Sequence, residues 1–281
     1  MPKIILHTSE LDNVENPIRD LITKHIPGKL SARAEYSVLE TDVKVMPEQI
    51  QQLRVQFPFD INLIPEDFTA SQIQLLVTDM DSTLISIECV DEIADFLGIK
   101  PQVAAITESA MRGEIDFQTS LRKRVGLLKD LDSHVLQQVY DERLQLNPGA
   151  EKLLAGLQNA GIKTALVSGG FTFFTSRLQK RLGFDYTLAN TLEIKNEKLT
   201  GQVLGEIVDG TVKATFLEST CSALKIKSTQ ALAMGDGAND LLMMNSAALG
   251  IAYHAKPAVQ DKADIVINHS GLDAVLHIIS E

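Results

Sequence analysis

The chain has 281 residues, 44% of them hydrophobic and 22% charged, with a formal net charge of −11 at pH 7. That length and balance imply a globular protein of one large or two smaller domains with a buried core. The acidic excess, with no basic run longer than Arg122-Lys123-Arg124, argues against non-specific nucleic-acid binding and leaves small-molecule chemistry as the expectation.

Cys89 and Cys221 are far apart and form no Cys-x-x-Cys pair, so neither a disulfide framework nor a thiolate zinc site is expected, and the cytoplasm is the expected compartment. The opening "MPKIILHTSELDNVE" lacks the roughly 7 to 15 apolar residues of a signal peptide, and nothing approaches the roughly 18 of a membrane span.

Residues 1–70 read as a small α+β unit: "KIILH" is a strand and Val14 to His25 a helix. "SARAEYSVLETDVKV" is strand-rich, "PEQIQQLRVQF" is a helix opened by Pro47, and "DINLIP" is a last strand. Its acids, such as Asp42 and Glu48, show no convergence and are read as solvated surface. The pattern closes on itself before the turn-like "IPEDFTAS", a linker near Thr69.

The second unit, 71–281, starts with "QLLVTDMDSTLIS", an apolar run ending in two acids on either side of Met80. If the strand continues through Met80, Asp79 and Asp81 share a face, and two anions that close need a cation or a proton between them. From about 86 to 147 the pattern is helical, with segments separated by Gly98, Gly113 and "DLDS". After "NPGA" strand and helix alternate: helix 149–160, strand "KTALVS", helix from Phe171, strand "TQALAM", helix from Ala238, strands "LGIAY" and "DIVIN", and a terminal helix. The alternation predicts a doubly wound parallel sheet with helices on both faces. "YTLANTLEIKNEKLTGQV" reads as a polar hairpin around Lys195-Asn196-Glu197.

Open α/β sheets bind ligands beyond the carboxyl ends of their strands. Three strand ends here carry "DMDST", "VSGG" and "MGDGANDLLMM", which would bring Asp79, Asp81, Ser168, Asp236, Asn239 and Asp240 to one rim. A single acid at a strand end is usually a turn or cap residue, but three such ends in register are hard to explain that way. Carboxylates with an amide and no paired His or Cys make an all-oxygen site suited to Mg²⁺. Ser168-Gly169-Gly170, between a strand and a helix start, offers backbone N–H groups and a hydroxyl to a phosphate. Asp79 could then accept a phosphoryl group as an aspartyl-phosphate, and Asp81 could move protons for the leaving alkoxide and the incoming water.

"DMDSTL", "SGG" and "GDGAND", in this order, resemble the motifs of the haloacid dehalogenase superfamily of phosphatases. "DMDSTLISIECVDEIA", "AMRGEIDFQTSLRKRVGLLKDL", "ANTLEIKNEKLTG" and "HAKPAVQDKADIVI" resemble more closely its branch acting on O-phospho-L-serine at the end of L-serine synthesis. The resemblance covers 74–281. It implies a doubly wound core with a helical cap inserted after the first core strand, and a Mg²⁺-dependent phosphoric monoester hydrolase. It implies a nucleophile at Asp79, an acid/base at Asp81, and Mg²⁺ on Asp79, the Asp81 carbonyl and Asp236. Ser168 and Lys213 would hold phosphoryl oxygens beside Gly169 and Asn239, and Glu88, Met111, Phe117 and Arg124 would face the substrate; Asp240, read from its position alone, is a support for Asp236 or a cap.

Without the resemblance, Met111 and Phe117 would be helix packing, Arg124 a surface charge and Lys213 a solvated lysine. Met80 replaces a more usual aromatic, and "KATFLE" follows Val212 where a Gly or Glu near the lysine is expected. The first 70 residues resemble small βαββαβ amino-acid-binding domains, with no residue that supports carrying over a ligand; association of copies through them is an open expectation. A phospho-acceptor domain without turnover, or a phosphatase or phosphotransferase acting on another small ester, remain the alternatives.

Overall fold

The computed structural model describes residues 1–12 and 17–281, apart from the side chains of Asp12 and Met111. Its first sheet has four antiparallel strands in the order β2-β3-β1-β4, with β1 at Lys3–Leu6, β2 at Lys29–Ala32, β3 at Ser37–Glu40 and β4 at Ile61–Ile64. Helices α1 (Pro17–His25) and α2 (Pro47–Gln56) lie against one face, where Ile4, Leu6, Leu39 and Ile61 meet Ile22, Ile26, Ile50 and Leu53. The expected start of α1 at Val14 lies outside the described residues.

The expectation that this unit closes on itself fails at the other face. Ile5, Tyr36, Val38 and Ile64 belong to the buried cluster of the second unit. The reason is local: β1 reads Ile4-Ile5-Leu6, apolar on both faces, and a strand with one wet face would alternate.

The second unit is built on a seven-stranded sheet of order β11-β10-β9-β5-β6-β7-β8, parallel except where β8 returns along β7. Strand β5 (Leu75–Thr78) opens it, and four cap helices follow, α3 (Cys89–Asp95), α4 (Lys100–Met111), α5 (Phe117–Gly126) and α6 (His134–Glu142). Then come α7 (Ala150–Asn159), β6 (Lys163–Phe171), α8 (Thr172–Leu182), and the hairpin β7 (Tyr186–Lys195) and β8 (Lys198–Leu204). The chain returns through α9 (Gly210–Leu224), β9 (Ala231–Gly235), α10 (Leu241–Ser246), β10 (Leu249–Tyr253), α11 (Pro257–Gln260), β11 (Ile265–Ile267) and α12 (Ala274–Ile279).

Alternation along β5 sends Leu75 and Val77 under Leu217 and Met243, and Leu76 against Leu157 and Phe174. Both faces are covered, which is why the strand reads as an unbroken apolar run. From β5 the chain moves outward through β6 and β7, then jumps back to β9 on the other side and moves outward again. That reversal leaves a crevice at the carboxyl ends of β5 and β9. The hairpin, expected as a polar excursion, is docked on the cap: Leu199 is buried, and it exchanges backbone bonds with Asp130 and Leu131 (2.9 and 2.8 Å). Among the described residues no helix is long and apolar enough to cross a membrane.

Candidate active site

The β5 ladder runs one residue past the strand, where the Asp79 N–H donates to Met234 O (2.9 Å) on β9. The chain does not continue extended, as the shared-face reading assumed. It makes a wide turn over Met80–Leu84, closed by the Ile85 N–H on Met80 O (3.0 Å), with Ser82 at φ 56°. The turn separates the environments of the two acids. Asp79 faces Lys213, whose Nζ is 2.8 Å from its Oδ1, while Asp81 Oδ1 accepts the Cys89 N–H (3.0 Å) and its Oδ2 accepts Ser168 Oγ–H (3.3 Å).

Asp79, Asp236 and Asp240 each bring an oxygen within 4.8 Å of the others. Lys213, on the first turn of α9 and 0% exposed, donates to Asp240 Oδ1 at 2.6 Å. Asp240 therefore supports Lys213 rather than Asp236, and its other oxygen accepts the Gly237 N–H (3.0 Å). Room for it exists because residue 235 is glycine: a Cβ there would collide with the Asp240 carboxylate. Asp236 is held instead by Thr83 Oγ1 (3.0 Å), a contact that no sequence signal announced.

Lys213 pairs with Asp79 and Asp240 beside Asp236, and the crowding shows in the proton affinities of Asp79 and Asp236. Burial and then Asp240 lift the Asp79 carboxyl well above its ordinary range against the pull of Lys213. The same two causes push Asp236 up to about 6. Burial disfavours the charged Lys213, but Asp240 and Asp79 outweigh it and the ammonium ends up raised. An all-oxygen, acid-rich cluster with raised carboxyls fits a hard divalent cation, which would restore the ionised forms.

On the opposite wall β6 stays extended through Gly169 and Gly170 to Phe171, and α8 starts one residue later than expected. Ser168 is fully buried, and its Oγ accepts the Gly170 N–H (2.8 Å) besides donating to Asp81. One N–H group of the expected cradle thus points at Ser168 itself. A Cβ on Gly170 would lie 2.5 Å from Asp81 Oδ2, so the close approach of the two loops requires glycine there. Asn190, missed in the sequence, ties this loop down: Nδ2 donates to Gly169 O (2.8 Å) and Oδ1 accepts the Val208 N–H (2.9 Å), just before α9. Its only sequence signal is a lone amide in a β-strand.

The cap supplies the roof. Arg124 on α5 is 9% exposed, and among the described residues its Nε has no hydrogen-bond partner. Burial lowers its proton affinity, while Glu88, Asp91 and Asp81 raise it, so this guanidinium is neither a surface charge nor closely paired. Glu88 lies at the exposed mouth and accepts Ser82 Oγ–H (2.7 Å). Its surface faces solvent while protein crowds its other sides, and that crowding, then the field of Asp81, raises its carboxyl. The half-buried Phe117 lies over Gly169, where a Cβ would come 2.8 Å from the ring, and Gln118 Nε2 reaches Asp209 Oδ2 (2.8 Å) at the start of α9. The cap is thus closed on the core. Asn239 is half-buried on the turn Ala238–Asp240, with its backbone carbonyl against Gly210, and the Met111 side chain lies outside the described residues.

A family model described as haloacid dehalogenase-like hydrolase matches residues 73–248. A phosphoserine phosphatase of Polaromonas sp. is 52% identical over 224 residues, 78% of this chain and 95% of that protein. The crystal structure of a haloacid dehalogenase family hydrolase from Salmonella enterica serovar Typhi superposes with a TM-score of 0.91 at 35% identity, covering 100% of this chain and 99% of that one. A phospho-aspartyl intermediate analogue of a phosphoserine phosphatase covers 73% of this chain and 98% of its own, with a TM-score of 0.69 at 41% identity. The chain that folds this acidic cleft therefore belongs to the haloacid dehalogenase-like hydrolases, among the phosphoserine phosphatases.

Proposed function

We propose that the chain hydrolyses O-phospho-L-serine to L-serine and phosphate, with Mg²⁺, as the last step of L-serine synthesis in the cytoplasm. An Asp79 oxygen attacks phosphorus and the bond to the serine oxygen breaks, while the Asp81 carboxyl gives its proton to the leaving alkoxide. Burial, opposed by the Cys89 contact, Lys213 and Ser168, keeps the Asp81 proton affinity raised, as an acid needs. Asp81 then takes a proton from the attacking water, the bond from phosphorus to Asp79 breaks, and phosphate leaves. Lys213 and Ser168 hold the phosphoryl oxygens, with Gly169 and Asn239 beside them. Asp79, Asp236 and the Asp81 carbonyl are the groups that would hold Mg²⁺, which when bound offsets phosphoryl charge.

The single observation that carries the substrate is the buried guanidinium of Arg124 with its unpartnered Nε, roofing a cleft with Glu88 at its mouth. Once its phosphate is held, phosphoserine presents a carboxylate for Arg124 and an ammonium for Glu88. A sugar phosphate would leave both charges unmet, and a phospho-acceptor without turnover has no use for such a roof. Arg124→Ala is expected to lose about 2 to 5 kcal/mol of kcat/KM on phosphoserine and far less on phosphoethanolamine, which lacks the carboxylate. Equal losses on both substrates would make Arg124 structural and remove the reading's support.

A further inference from the structure

We propose that Asp60, at the foot of β4 in the N-terminal unit, is a positioning residue for the catalytic turn Met80–Leu84, bracing it from a distance. Its carboxylate is 3% exposed and accepts three successive backbone N–H groups: Asn268 (2.7 Å), His269 (3.1 Å to each oxygen) and Ser270 (2.8 Å). These residues leave the sheet at the end of β11, on the same rim as the cleft.

The next contact reaches the hinge by which the cap returns to the core. The Leu272 N–H donates to Pro148 O (2.7 Å), and Gly271 sits so close that a Cβ would lie 2.7 Å from the same oxygen. Beside Pro148, Asn147 grips the turn. Its N–H goes to Leu84 O (3.0 Å), and its Nδ2 goes to Thr83 O (2.7 Å) and Ile85 O (3.2 Å). Thr83 in turn holds Asp236.

Two features separate this chain of contacts from simple glue between units. Asn62 already ties β4 to β11 through both ends of its amide, donating to Val266 O (3.0 Å) and accepting its N–H (2.9 Å), so the Asp60 bonds act beyond the sheet on the loop alone. The loop and the turn border a cavity of about 390 Å³, between Ser82 and Asn147 on one side and His254, His269 and Ser270 on the other. Across such a space hydrogen bonds rather than close packing fix where the loop sits, and segments held that way move most easily.

The inference rests on Asp79 and Asp81 being the reacting carboxylates. Asp60→Asn in the full chain keeps the size of the side chain and one acceptor but removes the charge. It is expected to lower kcat about tenfold, with KM changed less than about twofold, because a slightly displaced catalytic group loses rate before affinity. Asn147→Ala should do the same, and the double variant should lose little more than the worse single one, as members of one brace do. Leu53→Ala, in the separate core under α1 and α2, should lower Tm and leave kcat at 25 °C unchanged. A kcat for Asp60→Asn within twofold of the parent, fully multiplicative losses in the double variant, or an equal fall in kcat for Leu53→Ala would overturn the brace. Running the set on p-nitrophenyl phosphate as well separates the two readings. A parent enzyme that cleaves only this ester strikes the substrate assignment, while the Asp60 comparison still stands or falls on it.

Discussion

The cleft and the seam between the two units both bury ionisable groups, but they differ in how their carboxylates are met. In the cleft Asp79 and Asp240 pair with a single ammonium beside Asp236, and Arg124 is buried with no hydrogen-bond partner at Nε among the described residues. In the seam Asp60 is saturated by three N–H groups, and Glu281 gathers Lys3, Arg33 and Tyr36. His7 and His277 meet there at Nδ1 to Nδ1, 3.1 Å apart, which requires one ring to donate and the other to accept. Crowded charges inside a cleft point to a ligand, whereas the seam's carboxylates are met by the protein itself, although His277 Nε2 there has no hydrogen-bond partner among the described residues and lies 3.6 Å from Glu35.

The comparison breaks most visibly at the nucleophile. Asp79→Asn should abolish both turnover and the incorporation of labelled phosphate from substrate, while Asp81→Asn should slow turnover by roughly 10² to 10⁴-fold. Label appearing at residue 79 of the Asn variant would end the assignment.

Cation removal comes next in size. Exhaustive chelation should silence the enzyme and Mg²⁺ should restore it. Mg²⁺ at 100 times its Kd should stabilise the fold by about 2.7 kcal/mol, read as a rise in Tm that Asp236→Asn erases. Full activity in the chelated enzyme would place the unmet charge of the cleft elsewhere.

Acid stability sharpens the contrast, because the two regions respond with opposite sign. Asp236, raised from 3.8 to about 6 in the metal-free fold, contributes stability that is fully present below about 3.8 and lost as pH rises through about 6. His7, lowered from 6.5 to about 4 by burial and then by His277, contributes stability present above 6.5 and lost as pH falls toward 4. Arg54 lowers His7 further while Asp60 and Asp273 oppose the shift; Glu35, Asp273 and Lys152 act on the neighbouring His277. With chelator present, Asp236→Asn should therefore steepen the loss of Tm between pH 7 and pH 5, and His7→Asn should flatten it. Parallel curves for parent and both variants would show that neither group governs the profile.

The smallest effect belongs to the apolar side of the seam. Ile5→Val should cost about 0.5 to 1.5 kcal/mol of stability and leave kcat alone. The Ile5 contact also bears on a chain shortened to start near residue 70, which would uncover the surface that Ile5, Tyr36, Val38 and Ile64 cover.

What the sequence determined by itself was local. Apolar runs that stop at polar strand ends located β5, β6 and β9, and with them the rim on which Asp79, Ser168 and Asp236 stand, because a strand covered on both faces must be apolar until it reaches the crevice. The helical periodicity after Ser86 likewise carried α3 to α6. The tertiary structure decided the partners. That Asp240 serves Lys213 depends on α9 packing against the turn Ala238–Asp240, and that Arg124 is buried depends on the cap closing over Gly169. Neither contact has a periodicity to read, since a charge chooses its partner through space and a side chain's burial is set by what lands on it. The same holds for Asn190, Thr83 and Asp60: as single polar residues they look like any other, and only the groups that fold against them give each its role.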